Sequence, residues 1–345
     1  MDRARRLPAL KINASWFIYA VMSFVKTGPD RDRFTLIHVS DFHLCRPENT
    51  SLAAFANKRI LSYLSWRMRR RRRHDPRILD ALIRAVRAQA ADHVVVTGDL
   101  TQLALPAECD AAHRRLTAIG SPRDVFLVPG NHDALLSAGW DAHWSRWSDY
   151  MQADEPAGPG RTVLPALRVR GPVALIGLSS ALPTRPFSAA GRVGADPLAR
   201  CSAWLTEAAQ RSLFRIVLIH HPPVPGMVST HKRLSDADAF ERMVHRHGAE
   251  LILHGHTHRR SRVYLPGPQK PVPVIGAPSA SATSRDPLHR AGFGMVRITR
   301  TPAGWAATFQ DHWYAPGRQS FLPGAEEPIA PLPPHLVSGM EKTYR

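Results

Sequence analysis

Residues 34–43 read FTLIHVSDFH. The first seven are rich in β-forming side chains and end at a polar boundary, which predicts a short buried strand. Asp41 closes that strand and His43 follows two residues later. In an open α/β sheet, ligands gather at the carboxyl ends of strands, where this carboxylate and imidazole stand.

The same arrangement recurs along the chain. HVVVTGD (93–99) is a second buried run ending on Asp99, and VFLVPGN (125–131) a third ending on Asn131, with His132 and Asp133 next. RIVLIH (215–220) ends on His220, and ELILHG (250–255) leads into His256 and His258. VALIGLSS (173–180) is a further strand without such residues. Helical patterns over 76–91, 106–119, 197–212 and 235–247 lie between several of these runs, the first opening on Pro76, a residue suited to a first helical turn. Alternation of this kind predicts βαβ units and a sheet covered on both faces.

Beyond residue 270 the pattern changes. PVPVIGAPS (271–279), GFGMVRITR (292–300) and AATFQDHWYA (306–315) follow one another without helices and predict a second, more antiparallel sheet. The expected architecture is α/β, with two mixed β-sheets packed face to face and helices outside. It occupies residues 34–315, after an N-terminal extension at 1–33 and before a proline- and glycine-rich tail at 316–345 that is expected to wrap or fray.

Composition bounds the partners. Lys and Arg number 46 against 28 Asp and Glu, a net charge of +18 with pI near 10.9. Such an excess favours phosphate esters, nucleic acid or an acidic membrane surface. An apolar content of 44% excludes general disorder. Cys45, Cys109 and Cys201 are too few and too scattered for a disulfide framework, which suits a reducing compartment and places the protein in the cytoplasm. Cys45 reads as a small buried neighbour of His43. The apolar stretch at 12–25 follows Arg3, Arg5, Arg6 and Lys11 but has no small-residue cleavage site and is too short to span a bilayer unaided. Met22 as the true start, or a segment lying on a surface, accounts for it.

An insert at 47–75 separates the first two strands. Lys58 through Arg73 carries eight positive charges and no acid, with Arg69–Arg73 unbroken. Leu52, Phe55, Ile60, Leu61, Leu64, Trp66 and Met68 add an apolar surface at roughly helical spacing. It reads either as a solvated basic helix packed on the domain, or as an interfacial helix that holds the protein on the anionic inner face of a membrane. Nucleic acid is a weaker partner, because aromatic residues do not interleave with the charges beyond Trp66. Trp140, Trp144 and Trp147, at i, i+4 and i+7, read as core packing.

The residue types in the five clusters carry a chemistry. Hydrolysis of a phosphate ester needs a nucleophile at neutral pH and neutralisation of the phosphoryl oxygens, and two divalent ions about 3.5–4 Å apart can supply both through a bridging hydroxide. Mixed carboxylate, imidazole and amide ligation suits Mn²⁺, Fe or Zn²⁺ better than Mg²⁺ or Ca²⁺.

The ordered series D-x-H, G-D, G-N-H-D, H-x-P, G-H-x-H, spread over residues 34 to about 260, resembles the calcineurin-like metallophosphoesterase superfamily. The stretches LIHVSDFHL, VVVTGDLT, FLVPGNHD, HHPPVPG and LILHGHTH are most similar to bacterial class III cyclic nucleotide phosphodiesterases. That resemblance implies the four-layer αββα fold of the superfamily and a dinuclear phosphodiesterase. It implies that Asp41, His43 and His258 hold one metal, that Asn131, His220 and His256 hold the other, and that Asp99 bridges. It makes His220 rather than His221 the ligand, and leaves His38, His93 and His254 outside the site. His132 would contact the phosphate and serve as general acid, with Asp133 orienting its imidazole. A small phosphodiester resembling a cyclic nucleotide is the implied substrate. The basic insert is not a general feature of those enzymes and keeps two alternatives open. One is a membrane-surface hydrolase of a lipid-linked (pyro)phosphate such as UDP-diacylglucosamine; the other is a nuclease.

Overall fold

The computed structural model describes residues 32–45, 59–135, 144–155, 164–185 and 187–329. Twelve strands in this region form two six-stranded sheets. In the first sheet, β1 (Arg33–Val39), β2 (His93–Val96) and β3 (Val125–Leu127) run parallel. On the other side of β1 an antiparallel ladder continues through β10 (Gly292–Thr301), β11 (Gly304–Ala315) and β12 (Ser320–Pro328). In the second sheet, β5 (Val173–Gly177), β6 (Phe214–Leu218), β7 (Leu251–His254) and β9 (Val272–Gly276) are parallel. Antiparallel edge strands β4 (Ala166–Arg170) and β8 (Ser261–Leu265) flank them.

Strand periodicity builds the layers. Leu36 of β1, Val95 of β2 and Phe126 of β3 point inward and meet Leu175, Ile216, Leu218, Leu253 and Ile275 of the second sheet in one buried cluster. Their neighbours Ile37, Val94, Val96 and Leu127 face out and pack under helices α2 (Pro76–Ala88) and α3 (Pro106–Ile119). On the far side, Ile176, Val217, Ile252 and Val274 pack under α4 (Ala195–Gln210) and α5 (Ala237–His247). Each such fully buried aliphatic side chain contributes roughly 1.5–3 kcal/mol of transfer free energy. The expected two mixed sheets with outer helices are the architecture observed.

The structure differs from the sequence reading in its strand assignments. The C-terminal strands form no sheet of their own: β9 inserts beside β7, while β10–β12 extend the sheet of β1. Residues 320–328 of the expected loose tail form β12, an outermost strand that tolerates Pro323 and Gly324 because an edge need not donate on both sides. β4 and β8 were not anticipated, and β4 has a physical reason for its concealment. Arg168 in its middle is buried, with its guanidinium 4.4 Å from the Phe126 ring centroid and donating to the carbonyls of Pro122, Val125, Asp149 and Gln152. Burial lowers its pKa to about 10. A charged residue thus fills a core position by satisfying main-chain acceptors.

The basic insert is described from Arg59. A short helix α1 (Arg59–Ser65) continues into a π-helical turn over Trp66–Arg70, closed by the Arg71 amide on the Trp66 carbonyl at 2.8 Å. Arg59 is not a solvated charge. It is 7% exposed and donates to the Leu103 and Ala104 carbonyls at 2.9 and 2.6 Å, pinning the helix to the loop after β2. Trp147 lies in the core and Trp144 packs against it. Trp140, residues 1–31 and the part of the insert before Arg59 lie outside the described residues, as does the apolar stretch at 12–25. Among the described residues no helix is long and apolar enough to cross a membrane.

Candidate metal centre

The parallel strands of both sheets deliver their carboxyl ends to one place. Beyond β1 and β2 the chains stay paired: the amides of Asp41, His43 and Leu44 donate to the carbonyls of Gly98, Asp99 and Leu100 at 2.9–3.0 Å. The loops then curl inward through left-handed backbone. Asp41, His43, Asp99, His256 and His258 all have positive φ, from 46° to 67°. Asp and His enter this region more readily than most residues, yet each such position costs roughly 1–3 kcal/mol. Gly98 and Gly130 cross so closely that a Cβ on Gly98 would lie 2.5 Å from the Gly130 amide nitrogen, and Gly98 itself has φ of 94°.

Two groups of ligand-capable atoms result, each within 4.8 Å of one another: Asp41, His43, Asp99 and His258, and then Asp99, His220 and His256. Asp99 belongs to both. In the first group His43 Nε2 lies 2.7 Å from His258 Nε2, with Asp41 Oδ1 at 3.1 Å from His258 and 3.5 Å from His43. In the second, Asn131 Oδ1 stands 2.8 Å from His256 Nδ1 and 3.2 Å from His220 Nε2, which is itself 3.4 Å from Asp99 Oδ2.

The electrostatics fit a cation. Burial raises the cost of a carboxylate at Asp99, yet His220, His132 and His43 hold it well below the usual range. Burial likewise opposes a charged His220, but Asp99 overcomes it and pushes the imidazole up to about 9. Positive charge beside Asp99, here from the His220 imidazole, holds its carboxylate ionised. Two ring nitrogens converging at 2.7 Å beside a buried carboxylate could hold a divalent ion. His43 Nδ1 and His256 Nε2 are buried without a hydrogen-bond partner among the described residues. Carboxylate, imidazole and amide oxygen together suit a borderline transition ion.

Hydrogen bonds separate the two adjacent histidines. His220 Nδ1 donates to the Thr97 carbonyl at 2.6 Å, which leaves Nε2 facing the site. His221 spends both nitrogens elsewhere: Nε2 donates to the Ala189 carbonyl at 3.0 Å, and Nδ1 accepts from Ser180 Oγ at 2.7 Å. Burial then takes its pKa to about 3. His38, His93 and His254 are buried and take no part in either group.

His132 lies beside the first group, its ring edge-on 4.9 Å from that of His43. Its amide donates to Asp99 Oδ1 at 2.8 Å and its Nδ1 to the Gln102 carbonyl at 2.7 Å. Asp133, expected to orient this ring, has a further task in the loops around it. The Asp133 carboxylate accepts from the amides of Leu100, Thr101 and Gly130 and from Thr101 Oγ1, stitching two ligand loops together. Its pKa is raised to about 6, first by burial and then by Asp99.

Two residues beside the centre stand apart from the sequence reading. Cys45 is partly exposed rather than buried, on the wall of an adjoining cavity. His74, from the end of the basic insert, places its ring 4.6 Å from that of His43 and forms a third ligand-capable group with His43 and His258. Its Nδ1 meets Ser281 Oγ at 2.9 Å and Ser279 Oγ at 3.3 Å. Burial, then His43 and His258, keeps it neutral. It lacks a motif, so only the fold reveals it.

Comparison with known proteins bears on the whole arrangement. A dimetal phosphatase from Danio rerio superposes over 84% of this chain and 98% of its own, with a TM-score of 0.53 and 14% identity. A purple acid phosphatase from yellow lupin seeds matches 81% of this chain and 51% of its own, at 0.52 and 10%. At these identities the likeness speaks for the fold alone. No curated protein matches the sequence. The calcineurin-like phosphoesterase family matches residues 34–260, from the first strand to just past the last ligand cluster. That span is well over half of the sequence, and the chain belongs to this family.

Proposed function

We propose that the protein is a dinuclear-metal-dependent hydrolase of a small phosphodiester. The observation that carries this reading is the pair of ligand groups sharing Asp99. Asp41, His43 and His258 would hold one ion and Asn131, His220 and His256 the other, with Asp99 between them. Mn²⁺, Fe or Zn²⁺ fits the donor set. When bound, the ions would neutralise phosphoryl oxygens and acidify a water to near-neutral pH.

The chain's own groups do the rest. With Nδ1–H committed to the Gln102 carbonyl, the His132 ring can carry a second proton only at Nε2, where the departing oxygen can take it. The Asp99–His132 amide contact ties that ring to the bridging carboxylate. Hydrolysis of bis(p-nitrophenyl) phosphate by protein stripped of metal and reloaded with Mn²⁺ tests the reading; no turnover under these conditions would refute it.

A second reading concerns where the enzyme works. Ile60, Leu64 and Met68 fall at i, i+4 and i+8 along α1 and its π turn, and are 41%, 43% and 72% exposed. Arg67, Arg71, Arg72 and Arg73 are exposed around them. An exposed apolar stripe among arginines supports seating on an anionic membrane, such as the inner face, and with it a lipid-linked phosphate ester. If serines at 71–73 leave co-sedimentation with anionic vesicles unchanged, this seating is wrong.

A further inference from the structure

A cavity of about 490 Å³ opens beside the candidate metal centre, between His43 and His74 on one side and residues 63–71 of the basic insert on the other. Its outer wall is Tyr63, Trp66, Arg67 and Arg71. The π turn shapes this wall, because the Arg71 amide reaches back five residues to the Trp66 carbonyl and draws both residues to the cavity. Tyr63 and Trp66 stack with centroids 5.9 Å apart and planes 29° apart, forming a firm aromatic face. Arg67 and Arg71 form no ion pair with an acidic side chain among the described residues. Two exposed guanidiniums without an acidic partner among the described residues, next to the candidate metal centre, suit a second anion.

We infer that this cavity is a substrate subsite for a second phosphoryl group, so that the substrate is a diphosphate or bisphosphate ester. The scissile phosphorus would sit at the metal centre, the second phosphoryl on Arg67 and Arg71, and the organic part of the ester against Tyr63 and Trp66. This inference rests on the phosphoesterase reading and narrows it. A cyclic monophosphate has no group to place on the arginines.

Two hydrolytically inert probes isolate the second group: methylphosphonate, with one phosphoryl, and methylenediphosphonate, with two. Calorimetric titration of the Mn²⁺-loaded full chain in excess Mn²⁺ should give at least tenfold tighter binding for the diphosphonate. In R67Q/R71Q that ratio should shrink at least fivefold, and in R67K/R71K it should partly recover. R84Q/R87Q removes two exposed charges from α2, outside the cavity, and should leave the ratio within twofold of wild type. A ratio unchanged in R67Q/R71Q would overturn the subsite, because the preference would then belong to the metals alone. An equal fall in R84Q/R87Q would also overturn it, by making the effect one of bulk charge. If bis(p-nitrophenyl) phosphate is not hydrolysed while the ratios behave as stated, the enzymatic reading falls and the anion subsite stands.

Discussion

His132 donates a hydrogen bond from Nδ1 to the main-chain carbonyl of Gln102, 2.7 Å away, while the neighbouring Asp133 carboxylate turns to backbone amides. The group that sets the tautomer of the candidate acid is therefore one that side-chain substitution cannot remove. H132A should lower kcat by about 10²–10⁴-fold with little change in KM. Q102A should keep kcat within about tenfold of wild type, since the carbonyl remains. Steady-state kinetics on bis(p-nitrophenyl) phosphate checks both, and an H132A-like collapse in Q102A would refute the orientation scheme.

Asp133 should behave as a structural residue. Each of its oxygens accepts two hydrogen bonds. D133N keeps one acceptor oxygen and turns an amide against two donors, so unfolding of metal-free protein by urea should show a loss of about 1–3 kcal/mol. A D133N variant as stable as wild type would contradict this account.

Metal loading should register as stability. D99N removes the carboxylate common to both ligand groups and should lower bound metal more than H220A or H256A does, as measured by elemental analysis after dialysis. Chelation of the wild type should lower Tm. At free metal 100-fold above Kd the ion contributes about 2.7 kcal/mol. In D99N most of that difference should disappear.

His93 predicts a part of the acid response. It is buried on β2, and burial, then Arg170 and Arg168, lowers its pKa to about 3. The unfolded chain binds a proton near pH 6.5 and the folded chain does not, so stability falls as pH drops from about 6.5 towards 3, by up to about 1.4 kcal/mol per pH unit. Above 6.5 the residue is neutral in both states and this dependence vanishes. In H93L the stability difference between pH 7 and pH 5 should be smaller by about 2 kcal/mol, read from urea midpoints.

The strands that lead to the candidate ligands were legible because they are continuous apolar runs broken by Asp41, Asp99, Asn131, His220 and His256, and both properties are local. Sheet membership was not legible. Whether β10 pairs with β1 or with β9 depends on contacts across more than 250 residues, such as Leu36 against Val296. β4 escaped notice because Arg168 looks solvated in sequence and becomes buried only through distant carbonyls. The Gln102 carbonyl and His74 were invisible for related reasons. The first acts through its main chain, and the second reaches the site only because Ser279 and Ser281, more than 200 residues away, fix its ring.

Arg59 gives the loop at 102–104 a double duty. The helix bearing the arginine run hangs from the carbonyls of Leu103 and Ala104, and the preceding carbonyl, that of Gln102, grips His132. One short span of chain thus holds both the cavity wall and the candidate proton donor. A change that frees the helix from residues 103 and 104 would therefore act on the same loop that holds His132.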